Sequence, residues 1–285
     1  MSKLLVSVEE LAAHINAPNW RVFDCRHDLQ RPEYGPPAYA AGHIPGALYL
    51  HLDRDLSGSA SGSNGRHPLP NREILGSKLA RCGVSVQTQV VAYDNEGGVF
   101  AARLWWHLRW LGHERVAVLD GGLAAWKRAK LPLQQQAPEV GREPASPLSS
   151  ASGFAVVDAD YVLAHLGGAD MLLLDARNPE RFRGENETID PVGGHIPGAV
   201  NRFYQDNLDD NGCFFKPATE LRADFDALLA GHSPTQVIQQ CGSGVSACHN
   251  LLAMEVAGLQ GSRLYPGSWS EWCSDPVRPV ATGPA

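Results

Sequence analysis

Ala41-Gly42-His43-Ile44-Pro45-Gly46-Ala47 returns later in the chain as Gly193-Gly194-His195-Ile196-Pro197-Gly198-Ala199. Chance does not produce such a match, and it marks an internal repeat. The likeness extends outward from both copies. Upstream, an apolar run ends in an acid followed two residues later by an arginine: Val22-Phe23-Asp24-Cys25-Arg26 and Leu172-Leu173-Leu174-Asp175-Ala176-Arg177. Downstream, Val90-Val91-Ala92-Tyr93-Asp94 parallels Val237-Ile238-Gln239-Gln240-Cys241. Further on, Asp120-Gly121-Gly122-Leu123-Ala124-Ala125-Trp126 parallels Pro266-Gly267-Ser268-Trp269-Ser270-Glu271-Trp272. The halves read as duplicated domains, 17–134 and 156–281. A linker at 135–155 joins them, in a stretch rich in Pro, Gln and Ser that lacks apolar periodicity.

Within each half, short apolar strands alternate with helical patterns, which predicts an α/β fold of two parallel sheets with helices on both faces. Ser7 with Glu10 forms a capping box for a helix through Ile15, and Asn71 caps one that ends before Gly83. A third helix runs from Gly98 to Leu111, with Leu104, Trp105, Leu108 and Leu111 as its buried stripe. His43 and His195, inside the repeated turns, are read as structural. Open α/β sheets bind ligands at the carboxyl ends of their strands. In the second half that position is Cys241, and in the first it is Asp94, which cannot act as a sulfur nucleophile. The first domain is therefore expected to be catalytically inactive.

Cys241 stands where a strand breaks into Gly242-Ser243-Gly244 ahead of an apolar helix, Val245 to Val256. Unpaired N–H groups and the positive end of the helix dipole favour an anion there, and the thiolate is the nucleophilic form of cysteine. The glycines let the backbone curl around the sulfur and around a second negative atom bonded to it. Cys25, Cys82, Cys213, Cys248 and Cys273 fit better the usual role of cysteine as a small core residue. A Cys241–Cys248 disulfide is disfavoured, because seven helical residues rise about 10 Å and a bridge needs Cα atoms within about 7 Å. Zinc is disfavoured too, since the chain has no C-x-x-C pair and Cys248-His249 points to different helix faces.

At 285 residues and 44% hydrophobic, the chain is long enough for two cored domains. The net charge of −7, with basic residues scattered, argues against a nucleic-acid surface. No apolar run approaches membrane-spanning length, and the first residues do not read as a signal peptide. Six unpatterned cysteines point to a reducing cytoplasm.

Two His-Ile-Pro-Gly-Ala segments, a Cys241-Gly242-Ser243-Gly244-Val245-Ser246 loop and a Gly267-Ser268-Trp269-Ser270-Glu271-Trp272 tail resemble the two-domain rhodanese superfamily of sulfurtransferases, from about Trp20 to Trp272. The loop is most similar to that of the 3-mercaptopyruvate branch. The resemblance implies that Cys241 takes a sulfane sulfur from a small donor as a persulfide. The sulfur then passes to a thiol, a thioredoxin-like dithiol or cyanide, with no cofactor and no metal. Thiosulfate-preferring members carry basic residues where this chain has Gly242 and Ser243, so a neutral loop favours mercaptopyruvate over thiosulfate. The loop residues Gly242, Gly244, Val245 and Ser246 would line the substrate site. The family's first substrate arginine maps onto Arg181, suited to clamping a 2-oxo acid. Its second falls near Asp190-Pro191, where no basic residue stands, which leaves Arg183 as the candidate substitute. By motif, His67 and Asp53 map onto a histidine and its acidic partner. With Ser243 they would form a relay protonating the leaving enolate, the alternative for both being a structural polar contact.

Three other readings compete. A cysteine phosphatase needs an arginine six residues after its nucleophile, and that position is Ala247. Gly242-Ser243-Gly244-Val245-Ser246-Ala247 fits a dinucleotide fingerprint, but it lies late in its domain with no acidic residue following on a second strand. A non-catalytic binding module of the same fold would have no need of an intact cysteine loop.

Overall fold

The computed structural model describes residues 3–138, 146, 148 and 154–284, so most of the expected linker lies outside the described residues. The chain divides into two compact units that are not contiguous in sequence. The first is built from the described residues of Met1–Gly58, Pro70–Gly153 and Asp209–Phe215, the second from Ser59–Leu69, Phe154–Leu208 and Lys216–Ala285.

The first unit holds β1 (Leu5–Val6), β2 (Trp20–Asp24), β3 (Leu48–Tyr49), β4 (Gln89–Tyr93) and β5 (Val116–Leu119), in the order β1-β5-β4-β2-β3. The second holds β6 (Leu172–Asp175), β7 (Val200–Asn201), β8 (Val237–Gln240) and β9 (Arg263–Leu264), in the order β7-β6-β8-β9. Every strand pair is parallel, as the alternation of strand and helix requires. In β6 and β8 all four residues are buried. Burial of every residue along both is that of strands covered on both faces, although Gln239 and Gln240 in β8 are polar.

The predicted helices form with Ser7 and Asn71 as their N-caps, but the expected capping box at Ser7 is only half made, because the Glu10 carboxylate pairs with Lys3 at 2.7 Å. Ser7 accepts the Glu10 N–H ahead of the Val8–His14 helix, and Asn71 accepts the N–H groups of Glu73 and Ile74 ahead of Arg72–Arg81. The Val99–Trp110 helix is buried on nearly all sides and not along one stripe, Arg109 being the exception. Such a helix belongs to the interior of its layer.

The repeated sequence motifs have one structural meaning in both units. Asp24 ends β2, and Arg26 binds its carboxylate through Nε and Nη2 and reaches the Gly42 carbonyl at 2.9 Å. Asp175 ends β6, and Arg177 does the same, reaching the Gly194 carbonyl at 2.7 Å. Each acid and arginine pair therefore locks a Gly-His-Ile-Pro-Gly-Ala turn to the end of its strand, which explains why the two motifs are repeated together. The histidines follow as structural: His43 Nδ1 contacts the Tyr39 carbonyl, and His195 Nδ1 contacts that of Phe182, both at 2.9 Å.

The third repeated segment buttresses the strand-end loop. Leu123 N–H donates to the Asp94 carbonyl in the first unit, and Trp269 N–H donates to the Cys241 carbonyl in the second, both at 2.9 Å. The preceding residue is left-handed in each case, Gly122 at φ 52° and Ser268 at φ 54°. Glycine adopts that conformation freely, whereas a serine there costs about 1–3 kcal/mol of local strain.

Candidate active site

Cys241 follows β8 directly, is 2% exposed, and heads a buried loop that leads into the Ser246–Val256 helix. Three contacts fix the loop from the tail segment. Cys241 N–H donates to Ser268 Oγ at 3.1 Å, Trp269 N–H to the Cys241 carbonyl, and Ser270 N–H to the Gly242 carbonyl at 2.9 Å. The strained conformation of Ser268 places its hydroxyl on the backbone of the candidate nucleophile. Gly244 is left-handed at φ 75°, and a Cβ there would lie 2.4 Å from the Pro266 carbonyl oxygen, so only glycine fits. No side chain caps the helix that Val245 begins. Of the other loop residues, Ser243 and Val245 are buried and Ser246 is half-buried.

The corresponding loop of the first unit shows what this geometry accommodates. There the Asp94 carboxylate accepts the N–H groups of Glu96, Gly98, Phe100 and Ala101, all at 2.8–2.9 Å. Burial raises the carboxyl pKa while these four donors pull against it. The strand-to-helix loop is an anion cradle, filled in that unit by the protein's own side chain.

Cationic groups surround the second loop. A Cβ on Gly242 would lie 2.9 Å from Arg66 Nη2 and 3.6 Å from both terminal nitrogens of Arg181. Arg181 bonds Glu187 at 3.0 Å and Asp190 at 2.9 Å, and Arg66 bonds the other oxygen of Asp190. Both carboxylates are almost fully buried, at 5% and 3% side-chain exposure. Behind them Arg177 lies over the Trp269 ring at 4.7 Å. Burial disfavours its charge, but Asp175, Glu187 and Cys241 together raise its pKa. A cation is thus held in the field of Cys241, a role that the acid and arginine motif did not disclose.

The sequence-predicted residues fall unevenly around this loop. Arg181 stands beside Gly242. Arg183 does not take the second place, because its guanidinium pairs with Glu185 at 2.7 Å on the surface, one-third exposed. Arg66 stands there instead, carried by the Ser59–Leu69 segment and anchored by its own N–H to Ser270 Oγ at 3.0 Å. The one local hint was that Arg66 directly precedes His67. Gly65, left-handed at φ 83°, lets that segment pass Gly267, whose carbonyl oxygen would be 2.8 Å from any added Cβ. His67 is buried, and its Nδ1 meets Ser243 Oγ at 2.7 Å. Asp53 lies in the first unit, where its N–H donates to His51 Nδ1 and its carboxylate is 3.9 Å from that nitrogen.

Comparison with known proteins agrees with this architecture. The model of the rhodanese-like domain matches twice, at residues 7–129 and 158–275. A Pseudomonas aeruginosa protein named "Probable 3-mercaptopyruvate sulfurtransferase" is 48% identical over 284 residues, covering 99% of both chains. The thiosulfate sulfurtransferase of Azotobacter vinelandii is 31% identical, covering 97% of this chain and 96% of its own. Among solved structures, the 3-mercaptopyruvate sulfurtransferase of Escherichia coli superposes with a TM-score of 0.79 at 32% identity, covering 94% of this chain and 99% of its own. Two matched domains, a strand-end cysteine in one of them and relatives aligned from end to end lead to one assignment: the chain belongs to the rhodanese family.

Proposed function

We propose that this enzyme moves a sulfane sulfur from 3-mercaptopyruvate, through a persulfide on Cys241, to a thiol, a thioredoxin-like dithiol or cyanide. The observation that carries this reading is Cys241 at the head of a buried strand-to-helix loop, with Arg66 and Arg181 beside the next residue. The Cys241 thiolate attacks the donor sulfur, the carbon–sulfur bond breaks, and its electron pair leaves with pyruvate as an enolate. Ser243 and His67, 2.7 Å apart, supply the proton that enolate needs. The outer sulfur of the persulfide carries negative charge and takes, in the second loop, the place that the Asp94 carboxylate fills in the first. An acceptor thiolate or cyanide then attacks that sulfur and restores the Cys241 thiolate. No step calls for a metal or a cofactor. All six cysteines are free thiols, which suits a reducing cytoplasm. No helix among the described residues is long and apolar enough to cross a membrane.

Thiosulfate is the second donor to consider, because the same loop and arginines would hold a sulfonate and the A. vinelandii relative is named for it. Steady-state rates with both donors, against cyanide and a dithiol, decide between them. Mercaptopyruvate should have the higher kcat/KM, since the loop itself adds no basic side chain at Gly242 or Ser243. A wild-type preference for thiosulfate would refute the donor assignment.

Two substitutions test the machinery. Arg181→Ala should lower kcat/KM for mercaptopyruvate by about 2–4 kcal/mol of transition-state binding, because it removes a charged partner and leaves Glu187 and Asp190 less compensated. His67→Ala should lower kcat with mercaptopyruvate about 100-fold, as for loss of a general acid. With thiosulfate it should do much less, because departing sulfite needs no proton. Equal losses with both donors would reduce His67 to a structural contact.

A further inference from the structure

Among the described residues, Asp190 is the one acid that touches both arginines flanking Gly242, one oxygen to Arg66 and the other to Arg181 at 2.9 Å. Its side chain is 3% exposed. A carboxylate buried to that degree needs cationic partners, and guanidiniums spanned by a carboxylate are held in fixed positions. The local charges also balance. Arg66, Arg177 and Arg181 face Asp175, Glu187 and Asp190, so the protein groups beside the loop sum to zero before Cys241 and a donor are counted.

We infer that Asp190 is a specificity-determining, positioning residue, which sets the charge of the donor that the Cys241 site accepts by neutralising one of the two arginines it holds over Gly242. The inference rests on the sulfurtransferase reading above and goes beyond it, because it names the residue that separates donor classes. With the local charges balanced, loss of the Asp190 charge would leave one uncompensated positive unit beside the loop. Coulomb energy is proportional to the donor's charge, so any unit of charge added beside the loop favours a dianion such as thiosulfate twice as strongly as a carboxylate monoanion. Asp190 withholds that unit. It acts through Arg66 and Arg181 and need not touch the donor.

The test compares kcat/KM for thiosulfate and for mercaptopyruvate, with cyanide as acceptor, in the full-length wild type, Asp190→Asn, Arg66→Gln and the double variant. Asparagine keeps the shape of Asp190 and removes its charge. The ratio of thiosulfate to mercaptopyruvate use should rise at least about tenfold in Asp190→Asn, as expected for an added charge close to the donor. Arg66→Gln should lower the ratio, and the double variant should bring it back toward wild type. Asp190→Glu, which keeps the charge, should hold the wild-type ratio. A merely structural role would weaken both donors together, and an unchanged or falling ratio in a folded Asp190→Asn enzyme overturns the inference. If that variant does not fold, Arg66→Gln decides, since Arg66 is only partly buried. A ratio that stays level or rises in Arg66→Gln overturns the inference equally. A wild-type chain that forms no persulfide on Cys241 with either donor would overturn this inference and the sulfurtransferase reading together. Normal persulfide formation with unmoved ratios overturns this one alone.

Discussion

Cys241→Ser should abolish turnover with either donor and leave the Cys241-bearing peptide without the mass of one added sulfur. A serine hydroxyl does not ionise near neutral pH and cannot store a sulfane sulfur, so the loss should reach about 10⁴-fold or more, as for removal of a covalent nucleophile. The other thiols are poorly placed to compensate. Burial pushes Cys25 well above the ordinary thiol range, raises Cys82, and pushes Cys273 up to about 11. Cys248 lies under the loop, where its thiol donates to the Gly244 carbonyl at 3.3 Å. In the first unit the equivalent position is Asp94, which has no sulfur to offer. Cys213 is only half-buried and can react adventitiously, which is why the mass is read on the Cys241 peptide. Retained turnover in Cys241→Ser would place the chemistry elsewhere.

The features legible in the sequence were those written in adjacent residues. Strand ends, caps and the cysteine loop depend on local conformation, and duplication made each one visible twice. The acid and arginine pairs could be seen as motifs because their partners are two residues apart, although their grip on the Gly42 and Gly194 carbonyls needed the fold. Arg66 could not be found that way. It reaches Asp190 across 124 positions of sequence, on a segment whose neighbours in the chain belong to the other unit. A gap in the arginine inventory was apparent near Asp190, and Arg183 was the nearest cation by sequence. Proximity in sequence pointed to Arg183, but an acid two residues away, Glu185, pairs with it at the surface. The burial of the Val99–Trp110 helix escaped for a related reason. In the sequence Arg103 and His107 look like a polar face, yet both are fully buried.

Asp94→Ala should destabilise the protein by about 3–5 kcal/mol, a large share of the roughly 5–15 kcal/mol that holds an ordinary domain. Four N–H groups converge on that carboxylate, and alanine would leave all of them without their acceptor at a site that is 0% exposed. An unsatisfied buried donor costs about 1–3 kcal/mol, and partial relaxation or entry of water keeps the sum below four full penalties. Asp94→Asn keeps one oxygen and should lose less. The site at Cys241 belongs to the other unit, so the folded fraction of Asp94→Ala should still load Cys241 with sulfur. Urea unfolding, with persulfide formation measured on the same samples, separates these effects. The cradle supplies a further check, because an emptied anion site should bind a small anion from solution. Formate or sulfate should then raise the midpoint of Asp94→Ala more than that of the wild type, by the mass-action relation for ligands of the native state. If Asp94→Ala is as stable as the wild type, or gains nothing from anions, the Asp94 loop is not an anion cradle. The argument that Cys241 uses the same geometry to hold a charged persulfide would then lose its internal precedent.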